Sequence, residues 1–293
     1  MLTKAQAGRY PITGSADIVS DWEAPHHSLR WHCLRLGGTH TCHLAVLRII
    51  PRATLSAPNI IIILTCKKTS MPMEGEITFS DVRSSKEIVT YIRRADLSLQ
   101  RMGYTEHSLA HVTKVATVAG NLIHDLGYDA HIEDLARIAG FMHDIGNVVN
   151  RIDHAQSGAI MSFRILDKMG MPCEDIAKVI AAIGNHDETT AWPVNEVAAA
   201  LILADKSDVR RTRVRGNSDC REIHYRVNYA VTHNNTHYDD ERKTFILDLT
   251  VDTGISSVME YFEIFMSRMK LCVKAAEYLG VQFRLVINGT QLC

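Results

Sequence analysis

The chain has 293 residues, 46% of them hydrophobic and 22% charged, with a formal net charge of −1. This balance is ordinary for a globular protein with a sizeable core, and it does not support a strongly basic binder of nucleic acids or membrane surfaces. No apolar run reaches the ~18–20 residues that a membrane span needs, and seven cysteines, scattered and odd in number, favour a reducing, cytoplasmic location over a disulfide framework.

The first 72 residues differ in composition from the rest. Residues 1–70 hold eight lysines and arginines against three acids, and no methionine lies between Met1 and Met71. Neither helical nor strand periodicity is sustained there. The stretch "WHCLRLGGTHTCH" (31–43) offers histidines and cysteines, so a small zinc-binding domain is one alternative, although the spacings match no usual structural zinc pattern. We expect residues 1–72 to be a poorly ordered or spurious N-terminal extension, with translation beginning at Met71 or Met73.

From Ser84 onwards the sequence pattern becomes helical. The capping box "SSKE" (84–87) predicts a helix start, and Asn195 predicts a later one. Gly127 and Gly170 predict helix ends. Six helices are expected, at about 84–102, 105–126, 131–146, 154–169, 172–185 and 195–213. Residues 84–215 are therefore predicted to form a helical bundle.

The segment 222–290 is predicted to be a small α+β module of ββαβ order. "REIHYRVNYAV" (221–231) and "KTFILDLTV" (243–251) alternate like two strands, joined across the polar "THNNTHYDDER" (232–242). A helix at about 255–279 and the strand "VQFRLVI" (281–287) follow. The predicted fold class is thus mainly α, a helical bundle followed by a small α+β module. That module is a candidate regulatory or oligomerisation unit, so a homo-oligomer is possible.

Three predicted helices carry a polar side chain of a metal-ligand type on an apolar face. His111 lies on the apolar stripe of one helix, His143 lies on that of another with Asp144 beside it, and Asp205 lies on that of a third. A single buried histidine is usually a satisfied core residue. Three such positions, two of them with carboxylates, are hard to satisfy without a cation. Imidazole and carboxylate ligands suit Mn, Fe, Ni or Zn, and Mg less well.

The order His111, His143-Asp144, Asp205 resembles the H…HD…D signature of the HD-domain metal-dependent phosphohydrolases, in particular its HDIG-like members. The local contexts "HSLAHVTKVA", "FMHDIGN" and "LILADKSD" are similar to those of the family, and the resemblance covers about residues 85–213. It implies an HD-type helical bundle with one bound divalent ion and hydrolysis of a phosphoester.

Two further histidines resemble those that complete a second metal site in dinuclear branches such as the HD-GYP proteins. They are His154 in "HAQSG" and His186 in "IGNHDE". The spacing from His143 to His154 is short for HD-GYP proteins, and His186 is followed by Asp187 instead of a second histidine. Alternatively, His186 complements a helix dipole and His154 lies on the surface. His107, one turn before His111, is either a further ligand or, more simply, an exposed or supporting residue.

The chemistry that this resemblance implies is attack of a metal-activated water on phosphorus. A divalent ion lowers the pKa of a bound water from ~15.7 to about 7. With two ions, Asp144 would bridge both and serve as a catalytic residue. Lys206 is a second candidate catalytic residue, contacting phosphate, while Arg151, Arg210 and Arg211 are candidates for further phosphate contacts. For Arg210 and Arg211 the alternative is a charge complementing the end of a helix.

Two departures from the family pattern limit the functional prediction. Many HDIG proteins continue as HDIGK, whereas this chain has Asn147, a candidate substrate contact that keeps a hydrogen-bond donor but lacks the positive charge. The GYP signature of cyclic-di-GMP phosphodiesterases is also missing, so a small phosphorylated substrate, most simply a nucleotide, is expected. The alternatives are an HD-fold di-iron oxygenase, which iron content and oxygen dependence would identify, and a non-catalytic, metal-containing nucleotide sensor.

Overall fold

The computed structural model describes residues 77–216 and 222–292, together with the backbone of four short strands before them. Those strands form two antiparallel pairs, β1 (Asp17–Trp22) with β2 (Trp31–Arg35) and β3 (Ala45–Arg48) with β4 (Ile63–Cys66). Apart from these strands, residues 1–72 lie outside the described part. The predictions made for them concern poor order, the alternative of a zinc site, and translation beginning at Met71 or Met73. The chain divides into two compact units, Met1–Met73 and Glu74–Cys293.

The second unit is mainly helical. Its described helices are α1 (Phe79–Ser84), α2 (Lys86–Arg101), α3 (Leu109–Asp125), α4 (Ala130–Met142), α5 (His154–Met169), α6 (Cys173–Gly184), α7 (Glu196–Lys206), α8 (Ile223–Ala230) and α9 (Val258–Tyr278). Short 3-10 turns occupy Ile145–Val148 and Arg211–Arg213. The prediction missed α1, whose capping box is formed by Thr78 and Asp81. It also placed two caps too early, since Ser85 caps α2 and Ser108 caps α3.

The sixth predicted helix ends at Lys206, seven residues earlier than the sequence pattern suggested. The cause is a tertiary contact. The side-chain amide of Asn234 donates to the backbone carbonyls of Ser207 at 2.7 Å and Val209 at 2.9 Å. A side chain that is distant in sequence thus takes carbonyls that a continuing helix would use. Because α7 ends at Lys206, the side chains that follow do not take the helical positions that the sequence pattern predicted.

A four-stranded sheet follows the helices. Its strands are β5 (Val231–Asp239), β6 (Thr244–Val251), β7 (Gln282–Ile287) and β8 (Thr290–Gln291), in the spatial order β5-β6-β7-β8. Strand β6 runs parallel to β7, with α9 as the crossover, and the other pairs are antiparallel. The mainly α fold class with a small C-terminal sheet-and-helix module is confirmed.

The prediction was wrong about the first strand of this module. Residues 223–230 form α8, and β5 consists largely of the polar segment that was expected to be a loop. Ile223, Val227 and Ala230 are spaced four and three residues apart and share one helical face, whereas the alternation of Ile223, Tyr225, Val227 and Tyr229 also fits a strand. Strand β5 is a sheet edge with mostly exposed or half-exposed side chains, which explains its lack of an apolar signal.

One hydrophobic core connects the helices to the sheet. At its centre lies α7, in which every residue from Val197 to Ala204 is buried. A helix that is apolar all round packs against neighbours on all sides, and α7 contacts α3, α4, α6 and α9. The C-terminal helix α9 therefore reaches the same region as the helices of the bundle. Within the described residues, no helix combines the length and hydropathy needed to cross a bilayer.

Candidate metal centre

Four side chains from three parts of the bundle converge on one point. His111 comes from α3, His143 and Asp144 follow the end of α4, and Asp205 lies in the last turn of α7. His111 Nε2 lies 3.4 Å from Asp205 Oδ1 and 3.6 Å from Asp144 Oδ2, while His143 Nε2 lies 3.2 Å from Asp144 Oδ2 and 3.6 Å from Asp205 Oδ1. Both histidines are fully buried, and Asp144 is 5% exposed.

The outer nitrogens of these two imidazoles identify which nitrogen carries the hydrogen. His111 Nδ1 donates to Asp208 Oδ2 at 2.8 Å, and His143 Nδ1 donates to the carbonyl of Gly140 at 2.9 Å. In its neutral form, each ring therefore turns the lone pair of Nε2 inward. Both Nε2 atoms are buried without a hydrogen-bond partner among the described residues. A lone pair that faces carboxylate oxygens is repelled by them unless a proton or a metal ion lies between, and two such nitrogens beside two carboxylates fit a metal ion.

A second pair of histidines repeats this arrangement on the other side of Asp144. His154 Nδ1 donates to the carbonyl of Arg151 at 3.0 Å, and His186 Nδ1 donates to that of Ile183 at 2.6 Å. The two Nε2 atoms are 3.2 Å apart, and they lie 3.6 and 4.0 Å from Asp144 Oδ1. One oxygen of Asp144 thus faces the first histidine pair, and the other oxygen faces the second. His154 and His186 are both buried.

Two glycines make this second approach sterically possible. A Cβ atom on Gly146, in the turn after Asp144, would lie 2.0 Å from the carbonyl oxygen of His154 and 2.4 Å from the backbone nitrogen of Gly158. A Cβ atom on Gly158 would lie 3.2 Å from the carbonyl oxygen of His143. The start of α5 therefore packs directly against the backbone that carries the HD pair. Gly146 is therefore needed for this close packing. Its backbone conformation does not require glycine, because its φ is not positive.

The two carboxylates and His186 have protonation states that suit metal binding. For His143, burial lowers the pKa, but the charge of Asp144 outweighs it and raises the pKa above 6.5, so a bound metal ion would have to displace a proton there. Burial raises the pKa of Asp144, but the charges of His143 and His107 outweigh it and hold that pKa well below 3.8. For Asp205, burial again raises the pKa, while the adjacent Lys206 ammonium brings it well below 3.8. Burial, followed by the charge of His143, lowers the pKa of His186 to about 3. At neutral pH the carboxylates are ionised and His186 is neutral, and those are the forms that coordinate metals.

Asp208 is a functional residue that the sequence analysis missed. It is buried, and it accepts hydrogen bonds from Lys114 Nζ at 2.9 Å and Arg210 Nε at 2.9 Å in addition to His111 Nδ1. The available signal was a second acidic residue in "LILADKSD", but Asp208 lies beyond the end of α7, where helical spacing no longer applies. Its carboxylate orients the His111 ring, a common arrangement behind metal-bound histidines.

Three predicted substrate contacts, Arg210, Asn147 and Arg211, bond to or pack against other groups of the protein. Arg210 is bound to Asp208 and is absent from the described lining of the cavity. Asn147 is buried, and its amide donates to Asp144 Oδ1 at 2.8 Å, so it holds the central carboxylate instead of facing a substrate. Arg211 packs against Tyr229, with the guanidinium 4.5 Å from the ring centroid. The early end of α7 accounts for both arginines.

A cavity of about 170 Å³ opens beside the cluster. Arg151 and Lys206 line it as predicted candidates, and Lys206 Nζ lies 2.6 Å from Asp205 Oδ2. His107 also lines it, with Nδ1 bonded to the carbonyl of Thr105 at 2.8 Å and its ring packed edge-on against His111. The remaining lining residues were not anticipated. Those that bear on function are Tyr104, Glu188, Arg213, Asn228, Phe265 and Arg268.

Comparison with known proteins identifies the class to which this bundle belongs. Residues 108–214 match the family model described as HD domain. This part of the chain, which carries all six predicted metal ligands, is an HD domain, and the resemblance noted in the sequence is confirmed.

Relatives with similar sequences include ribonucleases Y. That of Aster yellows witches'-broom phytoplasma (strain AYWB) is 31% identical over 118 residues, covering 40% of this chain and 21% of the relative. That of Deinococcus radiodurans is 34% identical over 118 residues, covering 38% and 19%. The chain therefore spans about a fifth of the length of these relatives. A solved structure of a predicted HD superfamily hydrolase from an uncultured Thermotogales bacterium is 26% identical, with a TM-score of 0.34, covering 43% of this chain and 68% of that one.

Proposed function

We propose that this protein is a metal-dependent phosphohydrolase that cleaves a small phosphoester, in particular a nucleotide. The observation that carries the proposal is the set of four histidine Nε2 lone pairs that converge on the two oxygens of Asp144. The names of the ribonuclease Y relatives, whose substrate is a phosphodiester, support phosphorus as the centre of attack.

The ligand set fits two divalent ions. His111, His143, Asp144 and Asp205 would hold the first, and His154 and His186 would hold the second together with Asp144. Four imidazoles favour Mn, Fe, Ni or Zn over Mg, which prefers oxygen ligands. Bound divalent ions lower the pKa of a coordinated water to about 7 and neutralise charge on phosphate oxygens.

The protein's own side chains complete the site. Asn147 holds the Oδ1 atom of Asp144, so the carboxylate keeps one oxygen toward each histidine pair. Lys206 holds Asp205 and faces the cavity, where its ammonium can also contact a phosphate oxygen. Arg151 donates to Asn147 Oδ1 and to His154 Nε2, both at 3.3 Å. A ligating His154 has no lone pair left for Arg151, whose N–H groups are then available to the substrate.

Replacement of the central carboxylate tests the proposal. In Asp144→Ala we expect loss of bound metal by elemental analysis and loss of phosphate release from a panel of nucleotides and phosphodiesters under Mn²⁺, Ni²⁺, Mg²⁺ and Fe²⁺. Far-UV circular dichroism should stay near that of the wild type, because Asp144 lies outside the helices. The control is Asp167→Ala, an exposed aspartate near the end of α5.

Unchanged turnover in Asp144→Ala would remove the mechanism. Turnover by the wild type should also be the same with and without oxygen. Strict dependence on O₂ together with bound iron would instead support the oxygenase alternative.

A further inference from the structure

One wall of the cavity comes from outside the HD domain. Helix α9 contributes Phe265 and Arg268, although the family match ends at residue 214. They reach the cavity because α9 packs against α7, the helix that carries Asp205. This wall belongs to the C-terminal module, and nothing in the metal cluster requires it.

Arg268 is held in place by contacts that leave its two terminal guanidinium nitrogens available. Its Nε atom donates to Glu188 Oε1, and its guanidinium lies over the Phe265 ring at 4.4 Å from the centroid. Glu188 is steadied in turn by a hydrogen bond of 3.1 Å from Ser267 Oγ. The two terminal nitrogens of Arg268 have no hydrogen-bond partner in the described part of the chain, and the side chain is 25% exposed.

The other described arginines and lysines of the cavity bond to the metal cluster or to the residues beside it. Lys206 binds the ligand Asp205, and Arg151 bonds to His154 and Asn147. Arg213 donates to the carbonyl of Asp208, beside the carboxylate that orients His111. Arg268 differs from them, because its ion pair is with Glu188, which is neither a ligand nor bonded to one.

We propose that Arg268 determines substrate specificity by binding a second phosphate group, one that is not being hydrolysed. This inference rests on the phosphohydrolase function proposed above. A guanidinium fork matches two phosphate oxygens, and its fixed orientation removes part of the entropy cost of binding. The favoured substrates are nucleotides with a diphosphate group, in preference to monophosphates.

Binding of two inorganic probes separates this role from a structural one. Pyrophosphate and orthophosphate are titrated by calorimetry into the full chain loaded with Mn²⁺. We expect the wild type to bind pyrophosphate more tightly. In Arg268→Ala, pyrophosphate affinity should fall about 10- to 100-fold, as expected for loss of charge-assisted hydrogen bonds, while orthophosphate affinity changes little. Arg268→Lys should be intermediate, because it keeps the charge and loses the fork. The control is Lys270→Ala, an exposed lysine on the same helix.

Kinetics supply a second readout. Arg268→Ala should raise KM for a nucleoside diphosphate with little change in kcat, and should leave KM for the monophosphate unchanged. Glu188→Gln, which keeps Arg268 but weakens its positioning, should show a smaller effect of the same kind.

Equal weakening of both probes, or no preference of the wild type for pyrophosphate, would overturn the role of Arg268. A wild type that binds pyrophosphate through Arg268 but hydrolyses no phosphoester would instead contradict the proposed function alone.

Discussion

The glycine of "FMHDIGN" provides a sharp test of the two-ion arrangement, through the variant Gly146→Ala. The added Cβ would lie 2.0 Å from the carbonyl oxygen of His154, whereas ordinary contact begins at 3.4 Å. The backbone must therefore separate by about 3.4 − 2.0 = 1.4 Å at this point. Backbone atoms cannot rotate away as a flexible side chain does, so the start of α5 moves, and His154 moves with it.

This displacement is large compared with the tolerance of a metal site, in which ligand distances vary by about 0.2 Å. His154 belongs to α5 and faces the Oδ1 side of Asp144, whereas His111, His143 and Asp205 lie on or beside other helices. We therefore expect Gly146→Ala to lose the second ion and to keep the first. Overpacking of this kind also costs roughly 1–3 kcal/mol of unfolding free energy.

The assay is metal stoichiometry by elemental analysis after dialysis, together with urea denaturation. The wild type should hold two ions per chain and Gly146→Ala one, with activity strongly reduced. The control is Gly184→Ala in α6, where the new Cβ would lie 3.7 Å from Ala159 Cβ, an ordinary contact. It should hold two ions and be neutral or slightly more stable. Two ions in Gly146→Ala at wild-type affinity would refute the argument that close packing of α5 builds the second site.

Two further predictions concern groups around the cluster. Asp208→Asn leaves Lys114, Arg210 and Arg213 facing a neutral amide and loosens the His111 ring. Metal affinity, measured by competition with a chelating dye, should fall about 10- to 100-fold, and unfolding free energy should fall by roughly 3–5 kcal/mol; wild-type affinity would exclude the orienting role. In the metal-free protein, burial lowers the pKa of His186 from 6.5 to about 3. Between these pH values the unfolded state binds more protons than the folded state. The free energy of unfolding therefore decreases as pH falls from 6.5 towards 3. Urea denaturation between pH 7 and 5 should show this slope, and His186→Asn should reduce it by about 1.4 kcal/mol per pH unit; an unchanged slope would contradict the desolvated, neutral state of His186.

Local patterns carried most of the information about the bundle. The bounds predicted for α5 agree with the structure, because a helix end at Gly170 followed by a proline is a local signal. The HD resemblance and the fold class are confirmed. The six ligand positions stay predictions as ligands, but the structure brings all six together. Periodicity placed His111 and Asp205 correctly on α3 and α7. It was wrong about the end of α4, which stops at Met142 instead of about residue 146, so His143 and Asp144 follow the helix.

Local patterns failed where a segment is governed by contacts that are distant in sequence. The segment 223–230 satisfies helix and strand spacing alike, and only its packing decides for α8. The polar β5 gains its strand geometry by pairing with β6 at a sheet edge, so its own residues carry no apolar signal.

The sequence by itself predicted the candidate metal centre, since the residue types and order of His111, His143, Asp144 and Asp205 resemble the HD signature. The tertiary structure decided which groups support and surround that cluster. Asn234 ends α7 and thereby turns Arg210 toward Asp208. Packing of α9 on the same core brings Arg268 to the cavity. Helical spacing acts over about four residues, whereas these contacts join residues that meet only once the hydrophobic core has formed.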